Sequence, residues 1–136
     1  MMQEFLLSED AIFVKKVLAH FATIDLAIVF GSVAKNQASA ESDLDIAISA
    51  QTPLSVEMKI KLISALAEAT GRPIDLVDLK EVGEPLLGQI VQYGQMIIGS
   101  PTQKAALLSK HLMDAADFSP YQTRILAERR NAWINK

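Results

Sequence analysis

The feature that most constrains this chain is a pair of aspartates, Asp43 and Asp45, at the start of a short apolar run that ends at Ile48. Aspartate is depleted in β-strands, and two carboxylates at positions i and i+2 of a strand lie side by side on one face and repel each other. A cation would remove that penalty, and hard divalent cations such as Mg²⁺ prefer carboxylate oxygens. A solvated edge strand would also tolerate the pair, so this strand alone leaves both interpretations open.

A second apolar run precedes the aspartates. Residues 24–30 are nearly all apolar and rich in β-branched side chains, which predicts a buried strand, and the run ends directly at Gly31 and Ser32. Glycine permits close approach of the backbone, and amides at a strand-to-helix turn bind phosphate oxygens. Gly-Ser by itself is commonly just a turn. Its interest here is the Asp-x-Asp that follows after ten intervening residues, which makes Gly31 and Ser32 candidate phosphate-binding residues.

A third apolar run, over residues 74–79, contains two further acids, Asp75 and Asp78. If this strand lies beside that of Asp45, one of the two acids completes a three-carboxylate cluster, and such a cluster can hold two metal ions. Positions 75 and 78 point to opposite faces of a strand, so only one can join. We predict Asp75, because Asp78 lies near the strand end, where it can cap a turn or meet solvent.

The other patterns in the sequence predict helices around a small sheet. A longer helix has Thr52 as its N-cap, Pro53 at its first position and Gly71 at its end, and another helix follows Ser8. We further expect a short helix over residues 85–93, a fourth strand over 96–98, and helix from residue 102 with a break or new start at 119–120. The order α-β-β-α-β-α-β-α-α is typical of an α/β or α+β domain with a small mixed sheet flanked by helices.

Length and composition narrow the class of protein. The 136 residues are expected to form one domain, with a core over about residues 8–100 and a C-terminal helical extension over 101–136. The net charge of −3 argues against a general affinity for nucleic acid or anionic membrane, because both require a cationic surface, and the lack of cysteine excludes disulfides and thiolate chemistry. No window approaches the roughly 18 apolar residues of a membrane helix, and the start has no signal-peptide pattern. We therefore expect a cytoplasmic protein without a membrane partner.

Taken together, Gly-Ser-x10-Asp-x-Asp and a later strand aspartate resemble the nucleotidyltransferase superfamily that includes DNA polymerase β. More narrowly, residues 29–35, 41–47 and 74–77 look like the minimal nucleotidyltransferases (MNT), which act as antitoxins to HEPN-family ribonuclease toxins. The resemblance covers residues 24–98 and is loose on either side. It implies a polymerase β-like nucleotidyltransferase fold.

The resemblance also implies roles for the candidate residues. Gly31 and Ser32 would hold the triphosphate of ATP, Asp43 and Asp45 would bind both of two Mg²⁺ ions, and Asp75 would bind the ion that activates the acceptor hydroxyl. Mn²⁺ is an alternative, because carboxylate sites accept both metals.

The turn departs from the family pattern at two positions, where Val33 and Asn36 replace a frequent arginine and glycine. Lys35 can supply the phosphate contact that Val33 lacks, or it can be a solvated loop lysine. Ser42, directly before the first aspartate, is counted with the nucleotide-binding residues. His20 and His111 are expected in helices, with structural roles.

The family's antitoxins transfer AMP from ATP to a tyrosine of the partner toxin, and this is the activity that the resemblance implies here. Two alternatives stay open: an antitoxin that only sequesters its toxin, and a small-molecule nucleotidyltransferase of the antibiotic-modifying type, which would need a larger substrate domain. Near the C-terminus, Trp133 is the best candidate for a partner contact, since aromatic anchors dominate interfaces. The nearby apolar and basic residues are expected to pack on the sheet or to face solvent: Leu107, Leu108, Leu112, Ile125, Leu126, Arg124, Arg129 and Arg130.

Overall fold

The computed structural model describes residues 9–31 and 42–116. Four strands form one sheet, and their order across it is β3-β2-β1-β4. β1 pairs antiparallel with both β2 and β4, whereas β2 and β3 are parallel, so the sheet is mixed, as predicted. The strands are β1 Ile24–Phe30, β2 Leu44–Ala50, β3 Ile74–Asp78 and β4 Gln95–Ile98.

Helices cover both faces of this sheet and create two hydrophobic cores. One core lies between the sheet and two helices, α1 (Glu9–Leu18) and α2 (Val56–Thr70). The other lies between the sheet and two more helices, α3 (Leu86–Tyr93) and α4 (residues 101–116). Described residues thus form α1-β1-β2-α2-β3-α3-β4-α4, the expected order up to residue 116.

The alternation of side chains along β2 divides the strand between the two cores. Leu44, Ile46 and Ile48 are fully buried against α1 and α2. Ala47 packs on the opposite face, against the core of α3 and α4. The predicted separation of faces is confirmed, and it places Asp45 on the same face as Ala47, under α3.

The start of α2 differs from the prediction. The helix begins at Val56 rather than at Pro53, and Ser55 rather than Thr52 is the N-cap, because its hydroxyl accepts a hydrogen bond from the Met58 amide at 3.0 Å. The predicted end is confirmed: Gly71 closes the helix in the left-handed conformation, with φ of 70°.

Smaller differences occur at other boundaries. β2 extends to Ala50, past its predicted end, and His20 lies in a turn after α1 rather than in a helix. The predicted break at residues 119–120 and the candidate contact Trp133 lie outside the described residues. Of the described helices, none has the length and apolarity needed to cross a membrane.

Candidate active site

The parallel pairing of β2 with β3 brings two of the predicted acids together. Asp45 on β2 and Asp75 on β3 are direct partners in the strand register. Asp45 is also the register partner of Phe30, the last residue of β1. Residues of three neighbouring strands therefore lie side by side at one end of the sheet. Asp75 was chosen on the condition that β3 lies beside β2, and this condition is fulfilled.

Gly31 lies directly beside Asp45, at the end of β1. Its φ is +75°, a conformation that favours glycine, and a Cβ atom at this position would lie 2.1 Å from Oδ2 of Asp45. No other residue fits without displacing the carboxylate. The sequence predicted a close backbone approach at Gly31, and the structure shows that the group approached is the aspartate itself.

The electrostatics of Asp45 reflect this crowding. Burial, which is the largest cause, together with a hydrogen bond to Asp75 and the charges of Asp75 and Asp43, raises the pKa of the Asp45 carboxyl from 3.8 to about 6. The raised pKa means that Asp45 keeps its proton up to a pH of about 6, and this proton makes the hydrogen bond to Asp75 possible. A bound cation would take the place of that proton and favour the ionised forms.

The third predicted acid, Asp43, stands apart from this pair. It precedes β2, its side chain is exposed, and it acts on Asp45 through its charge. Within residues 9–31 and 42–116, no three acidic or histidine side chains are grouped closely enough to hold a metal ion. The donor atoms nevertheless fit a hard divalent cation. Asp45 and Asp75 offer adjacent carboxylate oxygens, whose negative charges repel each other until a cation binds between them.

A cavity of about 390 Å³ opens above the carboxylate pair. One face of α3 forms its far wall, with Leu86, Gln89 and Tyr93 at positions i, i+3 and i+7. Our sequence analysis did not identify these three residues. Their spacing predicts one shared helix face, but only the packing of α3 over the sheet shows that this face borders the carboxylate pair. The rest of the lining is Phe30, Gly31, Asp45 and Asp75.

A larger cavity, of about 540 Å³, lies at the opposite end of β1 and β2. It is lined by Asp25, Gln51 and Lys110 among others and contains none of the predicted site residues. We regard the smaller cavity as the functional one, because the facing carboxylates and the glycine approach are found there.

Arg72, just before β3, is a second feature that the sequence analysis missed. Its Nε donates to Oδ2 of Asp10 on α1 at 3.1 Å, and its Nη1 donates to the carbonyl oxygen of Ser42 at 3.1 Å. Next to it, the Leu44 amide donates to the Pro73 carbonyl at 2.9 Å. These contacts fix the backbone on both sides of Asp43. Asp10 is 62 residues away in the sequence, so no local pattern could have revealed the pairing.

Asp78 and His111, two other titratable residues considered in the sequence, make contacts within the fold and do not line the cavity. Asp78 caps a turn, as predicted, because its Oδ1 accepts from the Lys80 amide at 2.9 Å; it does not meet solvent, since it is only 7% exposed. The Nδ1 atom of His111 contacts Glu84, which also accepts from the Gly88 amide at 3.1 Å, so these residues join α4 to α3. Ser32 and Lys35 lie outside the described residues.

Comparison with known proteins agrees with this arrangement. The family model described as polymerase beta, nucleotidyltransferase matches residues 13–103. The protein adenylyltransferase MntA of Shewanella oneidensis is 31% identical over 94 residues, which make up 69% of this chain and 67% of that protein.

Solved structures share the fold. A toxin–antitoxin structure with AMP-PNP superposes with a TM-score of 0.73 at 23% identity and covers 90% of this chain and 98% of its own. A tri-AMPylated Shewanella oneidensis HEPN toxin in complex with MNT antitoxin gives a TM-score of 0.61 at 26% identity, with 93% of both chains covered. The family model spans well over half of the sequence, and its range contains Gly31, Asp43, Asp45 and Asp75. The chain belongs to the polymerase beta nucleotidyltransferase family.

Proposed function

We propose that this chain is an antitoxin adenylyltransferase, which transfers AMP from ATP to a tyrosine hydroxyl of a partner HEPN ribonuclease toxin and so neutralises it. The observation that carries the proposal is the pairing of Asp45 with Asp75 beside Gly31, at the floor of a cavity large enough for a ligand. The likeness to MntA, which is named a protein adenylyltransferase, supports the protein acceptor. The HEPN toxin in complex with MNT antitoxin supports the class of partner.

In this proposal Asp43, Asp45 and Asp75 hold the divalent cations, two Mg²⁺ or Mn²⁺ ions, which neutralise charge on the phosphates and lower the pKa of the acceptor hydroxyl. The raised pKa of Asp45 supports this role, because burial and the neighbouring carboxylates raise it and a bound cation would stabilise the ionised form against both. Asp43, whose charge already acts on Asp45, would complete the set.

The phosphate-binding residues in this proposal are Gly31 and Ser32, joined by Lys35 and Ser42. The assignment of Gly31 is supported by its positive φ and by its place in the cavity lining, directly beside Asp45. The carbonyl oxygen of Ser42 accepts a hydrogen bond from Nη1 of Arg72, which fixes the backbone directly before Asp43.

The reaction is an in-line displacement at the α-phosphorus. The acceptor oxygen forms a bond to that phosphorus, the bond to the bridging oxygen breaks, and pyrophosphate leaves. The contribution of the chain is positioning and charge neutralisation, which are the main sources of rate in phosphoryl-type transfer. We further propose that the chain works in the cytoplasm, as one domain over residues 1–136, without contacting nucleic acid itself.

The test is transfer of label from ATP to the HEPN partner. We expect label from [α-³²P]ATP, and none from [γ-³²P]ATP, to appear on the partner in the presence of Mg²⁺. Asp45→Asn should abolish labelling. Asp25→Asn is the matched control, because Asp25 is an exposed aspartate at the other end of β1 and should leave labelling intact.

Binding without label would contradict the proposal and favour an antitoxin that only sequesters its toxin. In that case Asp45→Asn would still neutralise the toxin. Label on a small molecule such as an aminoglycoside, with none on the protein, would instead favour the antibiotic-modifying type.

A further inference from the structure

Tyr93 lines the cavity of the candidate active site and bears a phenol hydroxyl group. Among the described residues that line the cavity, it is the one with a hydroxyl-bearing side chain; the others are Phe30, Gly31, Asp45, Asp75, Leu86 and Gln89. Tyr93 is 58% exposed, so solvent and ligands reach its ring. A phenol hydroxyl is also the class of acceptor assigned to this site in the proposed function.

The end of α3 that bears Tyr93 is held firmly in place. Leu87 and Ile90 anchor the helix in the core, and the Gly94 amide donates to the Ile90 carbonyl at 2.9 Å. A Cβ atom at Gly94 would lie 2.4 Å from Cγ2 of Ile28, so the backbone directly after Tyr93 rests against β1. The anchoring directs Tyr93 to the cavity side of α3.

We propose that Tyr93 is an internal acceptor: in the absence of a partner, the chain adenylylates its own Tyr93. The inference rests on the proposed function, because it uses the same donor and the same carboxylates. The Oη atom of Tyr93 forms a bond to the α-phosphorus of ATP, the bond from that phosphorus to the bridging oxygen breaks, pyrophosphate leaves, and the phenolic proton passes to solvent. No oxidant, reductant or further reactant is required.

Self-modification has a consequence for activity. An adenylyl group on Tyr93 occupies the cavity that an incoming acceptor must enter. A chain incubated first with ATP therefore transfers AMP to its partner more slowly than a fresh chain does. If the partner binds before ATP does, the rate of AMP transfer is not lowered, because the partner's tyrosine hydroxyl then takes the position that the Tyr93 hydroxyl would occupy.

The sequence makes the test simple, since it contains two tyrosines, Tyr93 and Tyr121. The full chain, without partner, is incubated with Mg²⁺ and ATP, and its intact mass is followed. We expect the mass to increase by one adenylyl group, peptide mapping to place that group on Tyr93, and Asp45→Asn to prevent it. Tyr93→Phe should remove the added mass, while the matched variant Tyr121→Phe keeps it.

Several results would overturn the role of Tyr93. The first is an unchanged mass of the wild-type chain. The second is a group mapped to another residue, a measurement on the wild type that does not depend on how Tyr93→Phe folds. The third is a rate per molecule that rises in proportion to protein concentration, because transfer within one chain is independent of concentration.

A parallel reaction with the HEPN partner separates this inference from the proposed function. A labelled partner beside an unlabelled chain overturns only the internal acceptor. Neither protein labelled overturns the proposed function and the inference with it. Both labelled, with slower transfer to the partner after preincubation with ATP, supports both.

Discussion

Replacement of Arg72 tests how the backbone around the site is held. Arg72→Met keeps much of the apolar stem but removes the guanidinium hydrogen bonds to the Asp10 carboxylate and to the Ser42 carbonyl. Hydrogen bonds to charged groups contribute roughly 1.5–3 kcal/mol, and breaking one partner of a fully buried pair costs about 3–5 kcal/mol. Here the two side chains are 13% and 20% exposed, so water partly compensates.

We therefore expect Arg72→Met to lower the free energy of unfolding by about 2–3 kcal/mol, between the surface and the buried limits. Urea denaturation measures this directly, and with a slope of roughly 1–3 kcal/mol/M the midpoint falls by about 0.7–3 M. The matched control is Lys61→Met, which breaks an ion pair with Glu57 whose side chains are 63% and 80% exposed. It should cost less than about 0.5 kcal/mol. Equal losses for the two variants would refute the reasoning.

Four further predictions concern the site and its supports. Because burial and nearby carboxylates raise the pKa of Asp45 to about 6, its ionisation opposes folding in the metal-free chain; stability from this group is greatest below its unfolded pKa of 3.8 and is lost as the pH rises through 6. For the same reason the apparent dissociation constant for Mg²⁺, measured by calorimetric titration, should rise up to about tenfold per pH unit below pH 6, and an unchanged affinity would contradict this. Gly31→Ala should abolish AMP transfer and cost more stability than Gly71→Ala, since both glycines have positive φ but only Gly31 would meet Asp45; equal denaturation midpoints would contradict the close approach. Gly88→Ala should lower the melting temperature, because its Cβ would lie 2.7 Å from Cε1 of His111 and separate α4 from α3, and an unchanged melting temperature would show that the helices adjust without cost.

The strands and their faces could be predicted from the sequence because each is a short apolar run bounded by a turn signal. β2 alternates between two cores, and the pairing of Asp45 with Asp75 needed only the assumption that β2 and β3 are neighbours. The carboxylate pair could also be predicted from the sequence. Aspartate within an apolar strand conflicts with local β-propensity, and such conflicts mark functional sites.

Other features were not accessible, for identifiable physical reasons. Thr52 and Ser55 are both suitable N-cap residues for α2. The hydrogen bond from the Met58 amide, which only the structure shows, identifies Ser55 as the N-cap. The bond from Arg72 to Asp10 joins distant segments, so it depends on the tertiary fold. Tyr93 and Gln89 acquire their place in the site because α3 lies over the edge of the sheet, and helical periodicity alone does not say which cavity a helix face will border.

The most direct test of the central claim is the intact mass and ribonuclease activity of the HEPN partner after reaction with this chain, ATP and Mg²⁺ and subsequent separation from the chain. We predict that the partner gains one or more adenylyl groups and remains inactive once it has been separated. With Asp45→Asn we predict an unchanged mass and full recovery of activity on separation. A partner of unchanged mass that regains its activity after meeting the wild-type chain would contradict the account, since neutralisation would then rest on binding alone.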